Sequence, residues 1–533
     1  MILDVKFVRG RIVTMDPARP VAGVIGVWRG LVVGLDEHVA DLAADRVVDL
    51  DGATVLPGFV DAHNHLAWAG RASGTVDISA CRRVDEIVDQ LRKVDVPGVW
   101  LEVDGYDYRV LDRKLTAADL DLVSRDRRVY VQDLSGHACV VNSYVLAELP
   151  AEVLAPGAPG VEFGPDGRPT GGLAEGAQTA VRTLRLPYSV EEIAGHLRLG
   201  AQQCLAQGVT MAAEAGVAGG LIGSSPLEVA AYQRDPLPLR VQLMVSADLL
   251  HPVAGHEDDG IPRAIDLGLR SGFGGDRLSI GGLKIFTDGG MMARTAALTT
   301  PYVTGGVGQL QDDPKLMTAA ILDGHAAGWQ LAVHAIGDRA IDFALNTIAE
   351  AQRRVPRPNA RHRIEHCGLV RPDQLDPIAE LNVIPVVQPT FLWSNGDDYS
   401  AVMGEERAPW MYRGRAFLDR GITVAGSSDR PVADGAPLRA IQFMVERLSS
   451  GGNPVGPDEA VTVEEAITAY TLGAAYACNA EDKLGSITPG KLADFVVLGD
   501  DPRTHEVSRI NKIPILATVV GGDFVHDPAG LAT

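Results

Sequence analysis

Two histidines near the start of the chain are spaced as metal ligands on a β-strand. In the segment FVDAHNHL, His63 and His65 are two residues apart. Because side chains alternate along a strand, both imidazoles project to the same side and can hold one metal ion. An HxH pair also fits alternate positions on any half-exposed strand, so the prediction depends on the residues that follow.

Lys284 lies in an apolar strand, GGLKIFTDGG, that ends in a glycine-rich turn. One interpretation is a lysine that pairs with Asp288 or extends its amine to solvent. The other is a buried amine with a lowered pKa, which adds carbon dioxide and becomes a carbamate bridging two metals. The strand context by itself leaves both interpretations open.

Three further candidates close short apolar strands: His334 in LAVHAIGD, His366 in RIEHC and Asp429 in VAGSSDRPV. A single buried histidine is usually structural, and an aspartate before a turn is often a helix cap. The order HxH, Lys, His, His, Asp is more specific than any one of these residues. It predicts a metal site, because barrel active sites are built at the carboxyl ends of the strands.

Strands and amphipathic helices alternate between these candidates. After a strand candidate at 330–335, apolar residues recur at helical spacing from Ile341 to Ile348. Strands that alternate with helices favour a parallel sheet, and a run of this length favours a (β/α)₈ TIM barrel over an open sheet. We assign residues 58–479 to the barrel, with an insertion near 71–200.

Both ends of the chain have the sequence pattern of short β-strands. Residues 1–57 contain VKFVRGRIVTM and VIGVWRGLVVGL, and the far end contains KLADFVVLGDD and ILATVVGGDFV. Valine-rich and isoleucine-rich runs separated by turn formers are typical of strands. The predicted fold class is therefore α/β: a barrel with a small composite β-sandwich built from residues 1–57 and 480–533.

Composition and charge exclude several classes of protein. Of the 533 residues, 46% are hydrophobic and 22% are charged, which is typical of a folded globular protein. Lys and Arg number 48 against 69 Asp and Glu, so the net charge of −21 disfavours nucleic acid and anionic membranes as partners. The five cysteines are scattered without a CxxC pair, which favours neither a disulfide framework nor a zinc ribbon.

The expected setting is the cytoplasm. The first residues lack the uninterrupted apolar stretch of a secretory signal, and no apolar run reaches the roughly 20 residues that span a bilayer. We expect a small-molecule substrate as the partner, and a homo-oligomer, most simply a dimer.

Several longer segments carry a family resemblance over nearly the whole chain. These are LPGFVDAHNHL, DLDLVSRDRRVYVQDLSGHACVVNSYVL, GGLKIFTDGG with RTAAL, LAVHAIGDRAID, HRIEHC, AGSSDRPV and LGSITPGKLADFVVL. The sequence resembles the metal-dependent amidohydrolase superfamily, and within it the branch that includes N-substituted formamide deformylases. The resemblance implies a (β/α)₈ barrel with a composite β-sandwich, in agreement with the fold predicted above.

The resemblance also implies a ligand set. His63 and His65 with Asp429 would bind the more buried metal. His334 and His366 would bind the other metal, and a carboxylated Lys284 would bridge the two ions.

Further residues are implied around the ligands. His137 matches a family position near the substrate pocket, with a buried structural role as the alternative. Asp288 and Arg294 fall in the lysine loop, which they would order, and with Arg430 they complete the substrate-binding candidates. Glu365 is expected to support a ligand rather than to react.

The chain also departs from the family pattern at a few positions. Cys367, Arg430 and the pair Ala213 and Glu214 differ from the residues that relatives often carry there. These departures bear on the identity of the substrate more than on the metal chemistry. Trp68, Tyr106, Phe163, Trp393 and Trp410 are candidate pocket aromatics, with core packing as the alternative.

The function predicted from the sequence is hydrolysis of a carbon–nitrogen amide-type bond by a metal-bridged hydroxide, with Asp429 as the acid and base. One or two Zn²⁺ ions are the first expectation, and Mn²⁺, Fe²⁺ or Ni²⁺ suit the same ligands. Two alternatives stay open. The first is an enzyme on the same scaffold that hydrolyses esters or lactones, deaminates, or cleaves carbon–carbon bonds. The second is a non-catalytic regulatory or binding protein.

Overall fold

The computed structural model of the protein describes residues 1–94 and 99–532. Residues 95–98, within the predicted insertion, and residue 533, at the end of the predicted β-sandwich, lie outside the described residues. At the centre is an eight-stranded sheet in which each strand pairs in parallel with the next one along the chain. Its first to eighth strands are Phe59–Asn64, Val209–Val217, Arg240–Ser246, Leu278–Phe286, Leu331–Ala335, Arg363–His366, Ile384–Val387 and Ala425–Gly426.

The first and eighth strands approach each other just where the candidate ligands lie. The backbone N–H of Asp429 donates to the carbonyl of His63 at 2.8 Å. The backbone N–H of Ser428 donates to the carboxylate of Asp61 at 2.9 Å. The sheet therefore curls into a barrel, and the predicted (β/α)₈ architecture is confirmed.

Helices alternate with the barrel strands and cover their outer side. They are Leu66–Gly74, Val190–Ala206, Glu228–Arg234, Pro314–Ala326, Asp338–Arg354, Leu375–Glu380, Pro389–Met403, Arg415–Leu418, Pro437–Glu446, Val463–Thr468 and Ala474–Ala477. Helix Asp338–Arg354 buries Ile341 and Ile348 on one face, as the helical spacing predicts. Helices Leu66–Gly74 and Val190–Ala206 approach so closely that a Cβ on Gly70 would lie 1.7 Å from the carbonyl oxygen of His196.

A second sheet lies between those two helices in the sequence, where the insertion is predicted. Its strands are Val76–Asp77, Trp100–Tyr106, Arg128–Asp133, Ala138–Val141, Val161–Phe163 and Pro169–Ala174. Helices Val84–Leu91, Ala117–Asp121, Ser143–Leu146 and Gly176–Arg185 accompany it. Apolar side chains such as Ile87, Leu101 and Val131 form a core of its own.

The two ends of the chain form two further sheets. The four-stranded sheet contains Leu3–Val8, Ile25–Trp28, Leu31–Leu35 and Ala44–Asp49. The six-stranded sheet contains Arg11–Val13, Val21–Ala22, Thr54–Pro57, Phe495–Leu498, Ile515–Val520 and Asp523–His526. The ends meet where Phe495 pairs with Pro57 in antiparallel register, and a common core includes Phe7, Phe495 and Val519.

This arrangement confirms the composite β-sandwich of the predicted fold class. The bounds of the two domains, 1–57 with 480–533 and 58–479, stay a prediction. A short two-stranded ribbon follows the third barrel strand and pairs His251–Pro252 with Arg263–Ala264. Among the described residues, no helix has the length and apolar character needed to cross a membrane.

Candidate metal centre

The predicted ligands meet at the carboxyl ends of the barrel strands and line one cavity of about 440 Å³. They come from the first, fourth, fifth and sixth strands and from the segment after the eighth. Each side chain is buried: the six are His63, His65, Lys284, His334, His366 and Asp429. The sequence therefore brings all six together, although their roles as ligands stay a prediction.

Asp429 contacts both histidines of the HxH pair. Its Oδ1 lies 2.9 Å from His65 Nε2 and 3.3 Å from His63 Nε2. Burial alone would raise the pKa of Asp429, but the two imidazoles outweigh it and lower that pKa well below its usual range. The carboxylate is thus held ionised at the centre of the cluster.

The second pair of histidines lies directly beside the first. The ring centroids of His334 and His366 are 4.4 Å apart, and those of His63 and His366 are 4.8 Å apart. One potential ligand atom from each of His63, His366 and Asp429 lies within 4.8 Å of the other two. The cluster is compact enough for these side chains to share one ion or two adjacent ions.

Several polar atoms of this cluster lack a hydrogen bond to any described residue. They are His63 Nε2, His65 Nδ1, Lys284 Nζ, His334 Nδ1 and Asp429 Oδ1. A buried polar atom without a hydrogen-bond partner costs free energy of folding. Five such atoms in one cluster therefore indicate that a bound group completes their contacts. Imidazole nitrogens with a carboxylate are the ligands that a divalent transition metal takes in proteins. The residues therefore fit a metal.

Other buried side chains orient the histidines. His63 Nδ1 lies 2.5 Å from Glu365, whose other carboxylate oxygen accepts a hydrogen bond from Arg363 at 2.5 Å. Burial raises the pKa of Glu365, but Arg363 and His63 reverse this and hold the pKa far below its usual range. His366 Nδ1 lies 2.8 Å from Gln388 Oε1, which leaves Nε2 for the cavity. Partners of this kind fix the tautomer and the direction of a ligating imidazole.

Glu214 is a positioning residue whose role the sequence did not reveal. Its carboxylate accepts hydrogen bonds from the backbone N–H of Leu66 at 2.8 Å and from the hydroxyl of Tyr232 at 2.5 Å. The other oxygen lies 3.7 Å from His65 Nδ1. Glu214 therefore joins the second barrel strand, the first helix and a candidate ligand.

Lys284 is buried without a counter-ion within the described residues. Its Nζ lies 4.7 Å from the ring centre of Phe286, and burial lowers its pKa to about 8. Pairing with Asp288, the alternative considered from the sequence, does not occur. Asp288 instead accepts hydrogen bonds from three backbone N–H groups, those of Ala297, Ile336 and Gly337, at 2.8–3.0 Å.

Two substrate-binding candidates order loops and do not line the cavity. Asp288 is fully buried, its pKa is raised to about 7 by burial, and its three hydrogen bonds tie the lysine loop to the fifth strand. Arg294 forms an ion pair with Asp398 at 2.6 Å and donates to the carbonyl of Met291. Neither side chain is at the cavity wall, and the role of both residues in ordering the loop and binding substrate stays a prediction.

Arg430, the remaining substrate-binding candidate, lies away from the metal cavity, and its role stays a prediction. It does not line the metal cavity but a surface depression with Ala69 and Pro431, and its guanidinium packs against Gly435. Its backbone carbonyl accepts a hydrogen bond from the N–H of His65 at 3.0 Å, which is its link to the site.

His137 does line the cavity, although it belongs to the inserted sheet. Its Nδ1 lies 3.2 Å from Glu175, and its ring centre lies 5.7 Å from that of His334. Burial lowers the pKa of His137, but Glu175 outweighs burial and the net shift is upward. The inserted sheet thus contributes a polar group to the mouth of the barrel.

The rest of the cavity wall is mostly apolar. Trp68, Phe286, Met291, Met292 and Phe391 line it, whereas the other candidate aromatics, Tyr106, Phe163, Trp393 and Trp410, do not. No arginine is among the described lining residues. The space beside the polar cluster therefore suits an uncharged, apolar group.

Comparisons with known proteins agree with this geometry. The chain is 30% identical to the Bacillus subtilis protein YtcJ over 90% of each chain. It is 27% identical to an N-substituted formamide deformylase of Arthrobacter pascens over 99% of each chain. An uncharacterised metal-dependent hydrolase from Pyrococcus horikoshii OT3 superposes with a TM-score of 0.75 at 25% identity, covering 95% of this chain and 99% of that one.

A family model described as the amidohydrolase family matches residues 46–526. That range contains four strands of the six-stranded terminal sheet, the whole barrel and all six candidate ligands. The protein therefore belongs to the amidohydrolase family and is a metal-dependent hydrolase.

Proposed function

We propose that the protein hydrolyses the carbon–nitrogen bond of an N-substituted amide, with N-substituted formamides as the first substrates to test. The observation that carries the proposal is the buried pair of imidazoles around one carboxylate. Asp429 Oδ1 lies within 3.3 Å of both His63 Nε2 and His65 Nε2 in a cavity with mostly apolar walls. The resemblance to a formamide deformylase supports the same bond type.

In this proposal the chain's own residues hold the metal and move one proton. His63, His65 and Asp429 would hold one ion, and His334 and His366 a second. A bound divalent metal lowers the pKa of a water molecule and polarises a carbonyl group. Asp429 accepts the proton of the attacking water and returns it to the leaving nitrogen, because an amine leaves readily only when it is protonated.

Lys284 is proposed as the bridge between two ions. Its Nζ is buried beside the histidines without a counter-ion among the described residues, so an added carboxylate would give it a charge that two cations can share. The step is an addition: the lysine nitrogen attacks carbon dioxide, a nitrogen–carbon bond forms, and the amine proton leaves to solvent. Zn²⁺ is proposed first, with Mn²⁺, Fe²⁺ or Ni²⁺ as substitutes.

The apolar wall supports a substrate whose group next to the amide is uncharged. Trp68, Met292 and Phe391 bury such a group, and burial of an apolar side chain contributes roughly 1.5–3 kcal/mol to binding. N-benzylformamide is therefore a reasonable first substrate. N-benzylacetamide, a cyclic amide, a lactone, an aryl ester and an aminopurine separate amide hydrolysis from the other chemistries open to this scaffold.

The experiment is a release assay with protein of known metal content. We expect formate release from N-benzylformamide, loss of activity in chelator and recovery with zinc or manganese. Faster turnover of the lactone or ester would replace the amide proposal by ester chemistry. A protein that purifies without stoichiometric metal and turns over none of the panel would favour the non-catalytic alternative.

A further inference from the structure

A second cavity, of about 620 Å³, lies beside the metal centre between the barrel and the inserted sheet. The two cavities share Trp68 and Ile222 in their walls. The indole Nε1 of Trp68 donates to Asp104 at 3.4 Å, and a Cβ on Gly136 would lie 2.5 Å from the ring. The indole is therefore held in place as part of the wall common to the two spaces.

Two of the arginines that line the second cavity are neutralised by carboxylates. Arg71 forms ion pairs with Glu102 at 3.3 Å and with Asp104 at 3.2 Å. Arg185 forms an ion pair with the same Glu102 at 2.5 Å. The charges of Arg71 and Arg185 are therefore balanced by carboxylates of the protein itself.

Arg182, the third arginine of this cavity, differs from the other two. Its Nη2 donates to the backbone carbonyls of Ile222 and Gly223, both at 3.0 Å, and it forms no ion pair within the described part of the chain. Burial lowers the pKa of its guanidinium, and the charge of Glu228, which forms no ion pair with it, does not compensate. A partly buried cation of this kind is costly unless an anion joins it.

The guanidinium of Arg182 keeps donors for such an anion. A guanidinium carries five N–H donors in a planar fork, and the two carbonyl contacts occupy only Nη2. A carboxylate matches the remaining fork. The other walls of the cavity include Trp100, Tyr130 and Tyr188, so the body of the ligand would be aromatic or apolar.

One helix links the two cavities. In Gly176–Arg185, the residue just before the helix is Glu175, which contacts His137 in the metal cavity, and Arg182 faces the second cavity. Arg182 follows Glu175 by seven positions, which corresponds to a rise of about 10 Å along the helix. The helix therefore connects a contact of the metal cavity with a lining residue of the second cavity, so that both can act on one extended ligand.

We infer that the second cavity binds the carboxylate end of the substrate, so that the substrate is an N-substituted amide whose aromatic or apolar substituent ends in a carboxylate held by Arg182. This inference rests on the proposed amide hydrolysis for the reacting end alone. The evidence for a site that binds the acidic end is separate: Arg182 forms no ion pair within the described residues, and aromatic side chains line the cavity around it.

Binding is tested first, without turnover. The probes are 4-ethylbenzoate and its neutral counterpart 4-ethylbenzamide, titrated into the metal-loaded protein by calorimetry. We expect the carboxylate to bind at least about 10-fold more tightly, the usual scale for a charge-assisted hydrogen bond. Arg182→Gln should abolish this preference, and Arg182→Lys should retain part of it, because lysine keeps the charge but not the fork.

Arg198→Gln is the matched control, since Arg198 is exposed and pairs with Asp235 on the outside of the molecule. It should leave both affinities unchanged. Equal binding of the two probes, or an Arg182→Gln protein that keeps the preference, would overturn the inference, and the second result would place the carboxylate on the metal instead. Melting temperatures verify folding, and the Arg182→Lys variant decides the question if Arg182→Gln fails to fold.

Turnover then tests whether the ligand is the substrate. The pair is 4-(formamidomethyl)benzoate and 4-(formamidomethyl)benzamide. We expect a KM roughly 10–100-fold lower for the acid, and a loss of that difference in Arg182→Gln with little change in kcat. Equal KM values would refute the substrate assignment. Absence of turnover on both, with the binding preference intact, would contradict the proposed function and leave the carboxylate site supported.

Discussion

Asp429 contacts two imidazoles through one carboxylate oxygen, and its backbone closes the barrel. Its φ of 55° lies in the left-handed region, as do the φ values of His366, 70°, and Cys367, 46°. Such backbone is unfavourable for residues other than glycine and persists where the surroundings impose it. Two candidate ligands are thus held by local geometry that a free turn would not adopt.

The first prediction separates proton transfer from structure at this residue. Asp429→Asn keeps the size of the side chain, but an amide cannot accept the proton of water, so we expect turnover to fall by roughly 10² or more while much of the metal stays bound. Turnover and metal content are measured together. Asp434→Asn is the control, because Asp434 caps the backbone N–H of Ala436 at 3.0 Å. If Asp429→Asn spares turnover, as Asp434→Asn should, Asp429 only caps a turn, because asparagine keeps the acceptor oxygen of a cap.

The second prediction concerns Lys284. Lys284→Ala removes the proposed bridge, so the metal content should fall, and a short carboxylic acid such as acetate should restore part of the activity by filling the gap. Elemental analysis and turnover with and without acetate provide the measurement. Unchanged metal content and turnover in this variant would refute the bridged two-metal site.

At the scale of secondary-structure elements, the sequence predicted the features that depend on a regular spacing of apolar residues. Alternating strands and helices define the barrel, and a polar residue at the end of an apolar strand points to the mouth of the barrel, as His334 and His366 do. The contacts of Glu214 were not predictable, because they depend on how three elements pack. The placement of the Arg430 side chain outside the metal cavity was likewise not predictable, because proximity in sequence to Asp429 does not fix the direction in which a neighbour projects.

Two buried histidines outside the site join a helix to the next barrel strands. His362 Nδ1 accepts the backbone N–H of Leu331 at 3.0 Å, so its Nε2 carries the proton and donates to His325 Nδ1 at 2.7 Å. His325 Nε2 then donates to the carbonyl of Val355 at 2.7 Å. Both rings are therefore neutral in the folded protein, and burial lowers the pKa of each.

The third prediction follows from this pair. The unfolded chain binds protons at these histidines below a pH of about 6.5, whereas the folded protein resists protonation until lower pH. The unfolded state therefore binds more protons in this range, and the free energy of unfolding should fall as the pH drops, by up to about 1.4 kcal/mol per pH unit for each histidine. The double variant His325→Gln, His362→Gln should show a shallower slope in denaturant titrations between pH 5 and 6.5. Equal slopes in the two proteins would contradict a role of the pair in acid stability.

At the scale of the whole molecule, the β-sandwich is fastened to the barrel by buried polar contacts as well as by its own sheet. Arg240, in the third barrel strand, forms a buried ion pair with Asp494 at 2.7 Å. The hydroxyl of Thr518 donates to the carbonyl of Leu205 at 2.7 Å. Loss of one partner of a buried ion pair typically costs 3–5 kcal/mol, so the carboxyl-terminal strands support the barrel itself.

The last prediction is that neither end of the chain can be removed without loss of the fold. Deleting residues 1–50 removes the four-stranded sheet and two strands of the six-stranded one, and deleting the segment after Leu484 removes Phe495–Leu498 together with the Asp494 carboxylate. Either deletion exposes apolar core residues such as Val55 and leaves unpaired strand edges that favour aggregation, so both proteins should be insoluble. The measurement is the soluble fraction on expression together with metal content. The control removes only Met1 and Ile2, which are 70% and 60% exposed, and should stay soluble and active. A soluble, active protein lacking either long segment would show that the two ends do not depend on each other, because a sheet built from both could not survive the loss of one.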